Sequence, residues 1–439
     1  MMRTVLPLAL VGALIGAPAV ADTYVYITNS TPSPVQIEVA HTGSGGTLVQ
    51  GKEWQQEATE IAPYATKRVL AFNRYWGVKN GKTYYFDTKI KVGGEVITAK
   101  QSLTGTWSSS TVVHSAQGAD FIAPWANDRA IHRYSTRYQL RDSTLAFKAK
   151  FTGGYDDFYY TISNNAQTEA LAAADTLKVL TYNTFALPVV AADISARLSE
   201  MPKHLQGYDA ILLQELFSGD GPALLRALSA QYPYQTEILK NKNAANMYNG
   251  GVAIVSRYPI AHADYVVYPN CTGTDCFADK GFVHAEVIKA GKAYHLVGTH
   301  TASFDTDAAR QLRQAQFQLM RTHIENEGVP SFDAVVYGGD FNVNKLKFPE
   351  DYQAMQLNLN GTVPVSTGYT ESTFDPRVNA YAAAYDTVEY LDYLVWSNAH
   401  RAPVESRNDV RVPRTTIDSL WEKWDLSDHF PVLGEFKFQ

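Results

Sequence analysis

The chain has 439 residues, 45% of them hydrophobic, and a formal net charge of -6. That length predicts two or three domains, each able to bury a core of normal size. The mild acidity argues against a concentrated basic surface that embraces nucleic acid. The 12% aromatic content, with 27 Tyr, suits β-rich structure and sugar- or lipid-facing surfaces.

Arg3, an apolar run over residues 5–20 and the small-x-small triplet Ala19-Val20-Ala21 predict a signal peptide over residues 1–21, with the mature chain starting near Asp22. The run is shorter than the ~20 residues a membrane span needs. The expected destination is secretion to the extracellular space, with periplasmic transit. Residues 22–166 read as strands: 24–27, 35–39, 68–72, 82–86 and the alternating Thr88-Lys89-Ile90-Lys91-Val92, with turn signals at Lys79-Asn80-Gly81 and Gly93-Gly94. An all-β, sandwich-like or jelly-roll-like accessory domain is expected there, without a catalytic constellation. Residues 167–175 are Ala-rich and read as a linker or one or two helical turns.

Over residues 176–439 the pattern changes. Buried strands are expected at 177–183, 210–215, 251–256, 334–340, 390–397 and 431–438. A hairpin joins 283–288 to 293–300 around Ala290-Gly291-Lys292, and helices are expected at 191–204, 221–231 and 307–327. Strands alternating with helices over this length indicate one large α/β domain. The only two cysteines, Cys271 and Cys276, can close a small loop as a disulfide in an oxidising compartment. A two-thiolate metal site is the alternative, with no third soft ligand nearby.

Several apolar strands end in a residue suited to metal or phosphate, where α/β folds place their sites: Asn183, Glu215, His300, Asp340 with Asn342, and Asp428-His429. Singly, each also fits a structural role. Asn183 and Asp340-Phe341-Asn342 could be turns, Glu215 a loop cap, His300 a hydrogen-bonded core histidine, and Asp428-His429 a helix cap. The ordered set carries more weight. Tyr182-Asn183, Leu213-Gln214-Glu215, Gly251-Val252-Ala253-Ile254-Val255-Ser256-Arg257, Gly298-Thr299-His300, Gly339-Asp340-Phe341-Asn342-Val343-Asn344, Leu391-Asp392-Tyr393 and Ser427-Asp428-His429-Phe430-Pro431-Val432 resemble the DNase I-like endonuclease/exonuclease/phosphatase superfamily. Asp279-Lys280-Gly281-Phe282-Val283, Tyr390-Leu391-Asp392-Tyr393, Ser372-Thr373-Phe374-Asp375 and Leu420-Trp421-Glu422-Lys423-Trp424 are similar to the bacterial sphingomyelinase C family within it. The resemblance covers the second domain only.

The resemblance implies a four-layered αββα sandwich and a secreted phosphodiesterase that hydrolyses sphingomyelin to ceramide and phosphocholine. It implies one or two Mg2+ ions, with Mn2+ or Co2+ as substitutes, held by Glu215 and Asn183, with Asp340 and Asn342 facing them and Asp375 as a peripheral ligand. A hard dication with oxygen ligands suits this chemistry, because it neutralises phosphoryl charge and positions water. By the same resemblance His429 is the general base, held by Asp392. His300 stabilises the phosphoryl oxygens or protonates the leaving alkoxide, Asp428 supports the metal or His429, and Lys280 contacts the phosphate. Leu420 and Trp421 are expected at the tip of a protruding hairpin that meets the membrane, the alternative being that Trp421 and Trp424 are core residues. The expected partner is a sphingomyelin-containing membrane surface, with no nucleic acid and a monomeric protein. Two rival functions are a secreted nuclease on the same scaffold, and a membrane- or glycan-binding toxin-like protein dominated by the β domain.

Overall fold

The computed structural model describes residues 22–166, 168–240 and 246–439. The expected signal peptide lies outside the described residues. The chain divides into two compact units, Met1–Asn164 and Asn165–Gln439.

Among its described residues the first unit is built from strands: β1 (Asp22–Ser30), β2 (Val35–Gly43), β3 (Trp54–Gln56), β4 (Glu60–Ile61), β5 (Thr66–Asn73), β6 (Thr83–Val92), β7 (Glu95–Gly105), β8 (Ser110–Gln117), β9 (His132–Tyr138), β10 (Arg141–Thr152) and β11 (Tyr155–Asn164). They form a six-stranded sheet, β3-β5-β1-β11-β10-β9, and a five-stranded sheet, β4-β2-β6-β7-β8. Alternate side chains from both sheets, such as Val25, Ile27, Phe147 and Tyr160 from one and Ile37, Phe86, Ile90 and Leu103 from the other, share one buried cluster. This is the sandwich arrangement that period-two patterning produces.

The second unit contains β12 (Thr176–Asn183), α1 (Ile194–His204), β13 (Ala210–Gln214), α2 (Gly221–Leu228), β14 (Tyr234–Gln235), β15 (Ala253–Ser256), β16 (Ile260–Val267), β17 (Gly281–Lys289), β18 (Lys292–His300), α3 (Asp307–Asn326), β19 (Ala334–Asp340), α4 (Pro349–Leu359), β20 (Gly361–Thr362), β21 (Val365–Gly368), β22 (Asp392–Ser397), β23 (Glu405–Val410) and β24 (Val432–Lys437). One sheet runs β14-β15-β13-β12-β24-β23-β21 and the other β16-β17-β18-β19-β22-β20. Three apolar clusters define the layers. Val179, Leu212 and Ile254 of the first sheet pack with Val283, Leu296 and Val336 of the second. Their strand neighbours Leu180, Ile211 and Leu213 face Leu198, Met201 and Leu224 of α1 and α2. Val335, Tyr337 and Tyr393 of the second sheet face Phe317, Met320 and Met355 of α3 and α4. Both faces of each sheet are therefore covered, which explains the nearly continuous apolar strands.

The stretch 168–175 forms no helix and is not free of the second unit. Glu169 donates its N–H to Gln206 O at 3.2 Å and ion-pairs with Lys178 at 3.3 Å and Arg411 at 2.9 Å. No helix among the described residues is long and apolar enough to cross a membrane.

Candidate active site

Strand register gathers the polar residues at one end of the second unit. Parallel β12 and β13 pair Asn183 with Gln214, which puts Glu215 one residue beyond the strand end. Parallel β18 and β19 pair His300 with Asp340, and antiparallel β22 starts with Asp392 opposite Asp340. Antiparallel β24 pairs Val432 with Thr181, so the Asp428-His429 segment before it lies at the same end as Asn183.

The side chains meet there. The Asn183 amide donates to Glu215 Oε1 at 3.1 Å and Asp340 Oδ2 at 3.0 Å. His300 Nε2 and His429 Nε2 lie 3.5 and 3.7 Å from the same Asp340 oxygen. His429 Nδ1 donates to Asp392 Oδ2 at 2.9 Å; a carboxylate can only accept, so this contact sets the imidazole tautomer. Asn342 donates its backbone N–H to Asp340 Oδ1 at 3.0 Å. Lys280 Nζ sits 3.1 Å from His300 Nε2, donates to Ser303 Oγ at 2.6 Å and Thr301 O at 3.1 Å, and pairs with Asp275 Oδ1 at 2.8 Å. Glu215 and Asn342 both hold left-handed backbone, with φ of 57° and 51°. Such conformations cost energy and persist where surrounding structure enforces them, commonly at functional sites.

Burial and mutual charge shape the ionisation. Desolvation, then the Asp428 and Asp340 charges, push the Glu215 carboxyl up to about 7. Burial acts the same way on Asp340, but His429 and His300 outweigh it and hold that carboxyl below its ordinary range. Burial pulls the His429 imidazole down, yet the carboxylates of Asp392, Asp340 and Asp428 prevail and hold it well above the usual histidine value. His300 goes the other way, down to about 3, from burial and the adjacent Lys280 ammonium. Glu215 Oε2 is buried and accepts no hydrogen bond among the described residues. Glu215, His300 and Asp340 bring ligand atoms within 4.8 Å of one another. An orphaned oxygen in a cluster of buried carboxylates fits a hard dication, since isolated buried charge is otherwise costly.

The residues line a cleft of about 870 Å3. Its floor carries Glu215, His300, Asp340, Asn342, Asp428 and His429, and its walls include Phe185, Val189, Met247, Phe277, Phe304 and Tyr385.

Residues 180–429 match the Endonuclease/Exonuclease/phosphatase family. The chain belongs to that family. It is a hydrolase of the phosphodiesterase kind. Sphingomyelinase C of Bacillus cereus is 32% identical over 304 residues, covering 61% of this chain and 91% of that protein. A phospholipase C of Staphylococcus aureus is 30% identical over 311 residues, covering 62% and 91%. Among solved structures, a beta toxin from Staphylococcus aureus with bound magnesium ions aligns with a TM-score of 0.55 at 28% identity, over 60% of this chain and 99% of that one. Sphingomyelinase C from Streptomyces griseocarneus aligns equally well, with a TM-score of 0.55 at 28% identity. The DNase I-like α/β architecture expected for the second unit is thus borne out.

Three expectations carried over from the family need correction in this member. Leu420 and Trp421 do not tip a protruding hairpin. Residues Asp418–Leu420 form a single 3-10 turn, and Leu420 and Trp421 are 0% and 7% exposed. Leu420 joins Leu198 and Met201 of α1 in the core, and Trp421 packs edge-on to Trp424 at 4.9 Å. The apolar run fills space beside the helix, where burial stabilises it most. Asp375, expected as a peripheral ligand, is bonded in this structure to protein donors instead. It is fully buried, accepts from Arg377 Nε at 2.8 Å and Nη2 at 2.6 Å, and takes further bonds from Tyr369 and Ser372. Both its oxygens are committed to bracing the 369–377 loop. Asn183 presents its amide nitrogen, not its oxygen, to the carboxylates, because Phe185 N–H holds Oδ1 at 2.9 Å. In this arrangement it orients Glu215 and Asp340.

Other residues build the site without having been singled out in the sequence. Arg197, fully buried on α1, donates to Thr184 O at 2.9 Å, Phe185 O at 2.6 Å and Leu426 O at 2.9 Å, tying the loop after β12 to the segment before Asp428. Ser427 Oγ donates to Asn183 O at 2.7 Å and accepts from His429 N at 3.2 Å. Cys271 and Cys276 form a disulfide around a loop that carries Asp275, the carboxylate under Lys280. Asp275 also accepts from Ser303 N at 2.7 Å. A helical arginine gives no local signal of such a role, whereas Ser427 stands inside the Ser-Asp-His motif.

Proposed function

We propose that this protein is a secreted Mg2+-dependent sphingomyelinase C, which cleaves sphingomyelin to ceramide and phosphocholine. The reading rests on one observation: the unpartnered Oε2 of Glu215 and the His429 imidazole, held by Asp392, share a cleft whose mouth is apolar. In this reading Glu215 and Asp340 hold the cation. When bound, Mg2+ would neutralise charge on the phosphoryl oxygens and, by offsetting the surrounding carboxylates, lower the His429 pKa toward that of a working base.

His429 Nε2 takes a proton from the attacking water while Asp392 fixes the ring through Nδ1 and stabilises the imidazolium that forms. Water oxygen attacks phosphorus in line and the bond to the ceramide oxygen breaks; that alkoxide takes a proton from solvent to leave as ceramide, phosphocholine is released, and His429 returns its proton to solvent. His300 stays neutral, so it serves as a polar contact for the phosphoryl group rather than as its acid. The Lys280 ammonium beside it supplies positive charge to the same oxygens, and Asp428 supports the floor of the cleft. The strained backbone at Glu215 and Asn342 keeps these groups preorganised.

The rim favours a lipid over a nucleic acid. Val189 is 100% exposed, and Val190, Met247, Phe277, Phe304 and Tyr385 are exposed around the cleft. Clustered exposed apolar residues beside a polar floor suit an acyl-chain interface. The first unit is an accessory domain in this reading. The deciding assay offers sphingomyelin vesicles, phosphatidylcholine vesicles and DNA to the purified protein, with Mg2+ or with EDTA. Phosphocholine release from sphingomyelin alone, abolished by EDTA, is expected. DNA cleavage without lipid cleavage would establish the nuclease reading instead.

A further inference from the structure

Four of the eleven histidines gather away from the catalytic cleft, on the face of the second sheet that α3 covers. Asp264 on β16 stands directly opposite His284 on β17. Its Oδ1 lies 3.2 Å from His284 Nδ1, and its Oδ2 lies 3.2 Å from Nε2 of His323, in the last turn of α3. Despite that proximity, Asp264 Oδ1, His284 Nδ1 and His323 Nε2 are buried atoms with no hydrogen bond among the described residues. The atoms face one another without donor–acceptor alignment. Ligand bonds of ~2.0–2.1 Å in a tetrahedral shell set neighbouring ligand atoms ~3.3 Å apart; each imidazole lies at about that distance from one Asp264 oxygen, and one ligand atom from each of the three residues lies within 4.8 Å of the others.

The surroundings are those of a ligating imidazole. His284 Nε2 meets His295 Nδ1 at 3.0 Å, and His295 Nε2 in turn lies 3.8 Å from Asp333 Oδ2. A metal-bound histidine characteristically gives its other ring N–H to such a partner, which fixes its orientation. His262 and Glu327 bring further ligand atoms within 4.8 Å of Asp264, so a fourth position can be filled from the protein or by water. His284 pairs across the sheet with Val297, three residues before His300, and is fully buried between Val283 and Ala285, which face the other sheet.

We propose that Asp264, His284 and His323 form a binding site for a transition-metal dication, Zn2+ by preference, that ties β16 and β17 to α3. The donor set decides the class of ion. Two imidazoles and one carboxylate suit Zn2+, whereas Mg2+ takes oxygen ligands and keeps its waters. The site is independent of the phosphodiester chemistry at the strand ends.

The test uses the full chain, stripped with EDTA, equilibrated with Zn2+ in the presence of excess Mg2+, desalted and assayed for bound metal. Wild type retains one Zn2+ per chain, and added Zn2+ raises its melting temperature. Asp264→Asn and His323→Gln, both at the partly exposed edge of the cluster, bind Zn2+ at least tenfold more weakly and lose the thermal shift. His295→Phe, which removes only the outer partner, weakens binding by ~10–100-fold. Loss of Zn2+ from folded wild type overturns the proposal, and this measurement needs no variant. Retention that survives Asp264→Asn and His323→Gln but fails in Glu215→Gln also overturns it, because the ion then sits at the strand ends.

Discussion

Two clusters of buried titratable groups occupy the second unit, and they differ in the sign of their frustration. At the strand ends, carboxylates crowd together: Glu215, Asp340 and Asp428 line the floor of the cleft with two imidazoles, and Asp392 holds one of them, His429. Under α3, imidazoles crowd together: His284 and His323 converge on the carboxylate of Asp264, and His295 meets the other ring nitrogen of His284. The first arrangement suits a hard cation and acid–base work, the second a borderline transition ion. The catalytic cluster also has an open cleft, while the other is closed by a helix. Chemistry on a substrate needs both ionisable groups and access, and only the first has both.

The largest expected effect separates them directly. His429→Ala should lower turnover of sphingomyelin by ~10²–10⁴, the usual contribution of a general base; a loss under about tenfold would remove His429 from that role. Asp392→Asn should cost less and should also move the acid limb of the pH–rate profile. Asp392 is the strongest of the carboxylates that raise His429. Without it the imidazole sheds its proton at lower pH, so the limb shifts toward acid; an unmoved limb would show that another group titrates there.

Mg2+ binding should depend on pH through Glu215. Its carboxyl is raised to about 7, so below that pH it is protonated and a poor ligand. Apparent Mg2+ affinity should therefore strengthen as pH rises through that value, and a flat titration would place the cation on other groups. The same shift has a consequence for stability. The folded-state pKa lies above the unfolded one, so metal-free stability falls as pH rises from the unfolded value through about 7. Glu215→Gln should abolish Mg2+-dependent activity yet raise the melting temperature of the metal-free protein at neutral pH. A lower melting temperature would mean that the carboxylate is satisfied in a way the structure does not contain.

The smallest effect concerns the rim. Val189→Ser with Val190→Ser should weaken activity on vesicles by about tenfold, equivalent to ~1.4 kcal/mol of lost apolar burial, and leave a soluble choline-phosphate ester nearly unaffected. Equal losses on both substrates would detach the rim from lipid contact.

Much of the second unit was legible because its strands are covered on both faces. Residues 177–183 and 334–340 read as apolar runs, and β12 and β19 occupy them. The helix expected at 307–327 is α3, and the hairpin around Ala290-Gly291-Lys292 is β17–β18. The helix expected at 191–204 begins later, at Ile194, after Asp193 in left-handed backbone. α4 gave no usable signal. One of its three buried positions is Asp351, which becomes comfortable only against Arg313 at 3.1 Å on α3, alongside Met355 and Leu359. A charged residue in a core position disguises the apolar stripe until its partner is known.

The misplaced aromatics follow the same rule. Leu420-Trp421-Glu422-Lys423-Trp424 looks like a membrane-facing tip because amphipathic aromatics favour interfaces, but the sequence does not say that α1 leaves a gap beside it. The exposed Val189-Val190 pair carries no aromatic marker and reads as ordinary apolar chain.

The sequence by itself determined the order of motifs, hence the family, and the residue types at the strand ends. Those are local properties, set by apolar runs that must pair and by polar residues that cannot enter them. Only the tertiary structure decided which partner each group meets. Asn183 turns its nitrogen inward because Phe185 N–H claims its oxygen, and Asp375 is consumed by Arg377. His284 and His323, separated by a strand, a loop and most of a helix, meet at Asp264 because α3 packs back across the sheet. Charge interactions depend on distance and burial, and neither is written in the spacing along the chain.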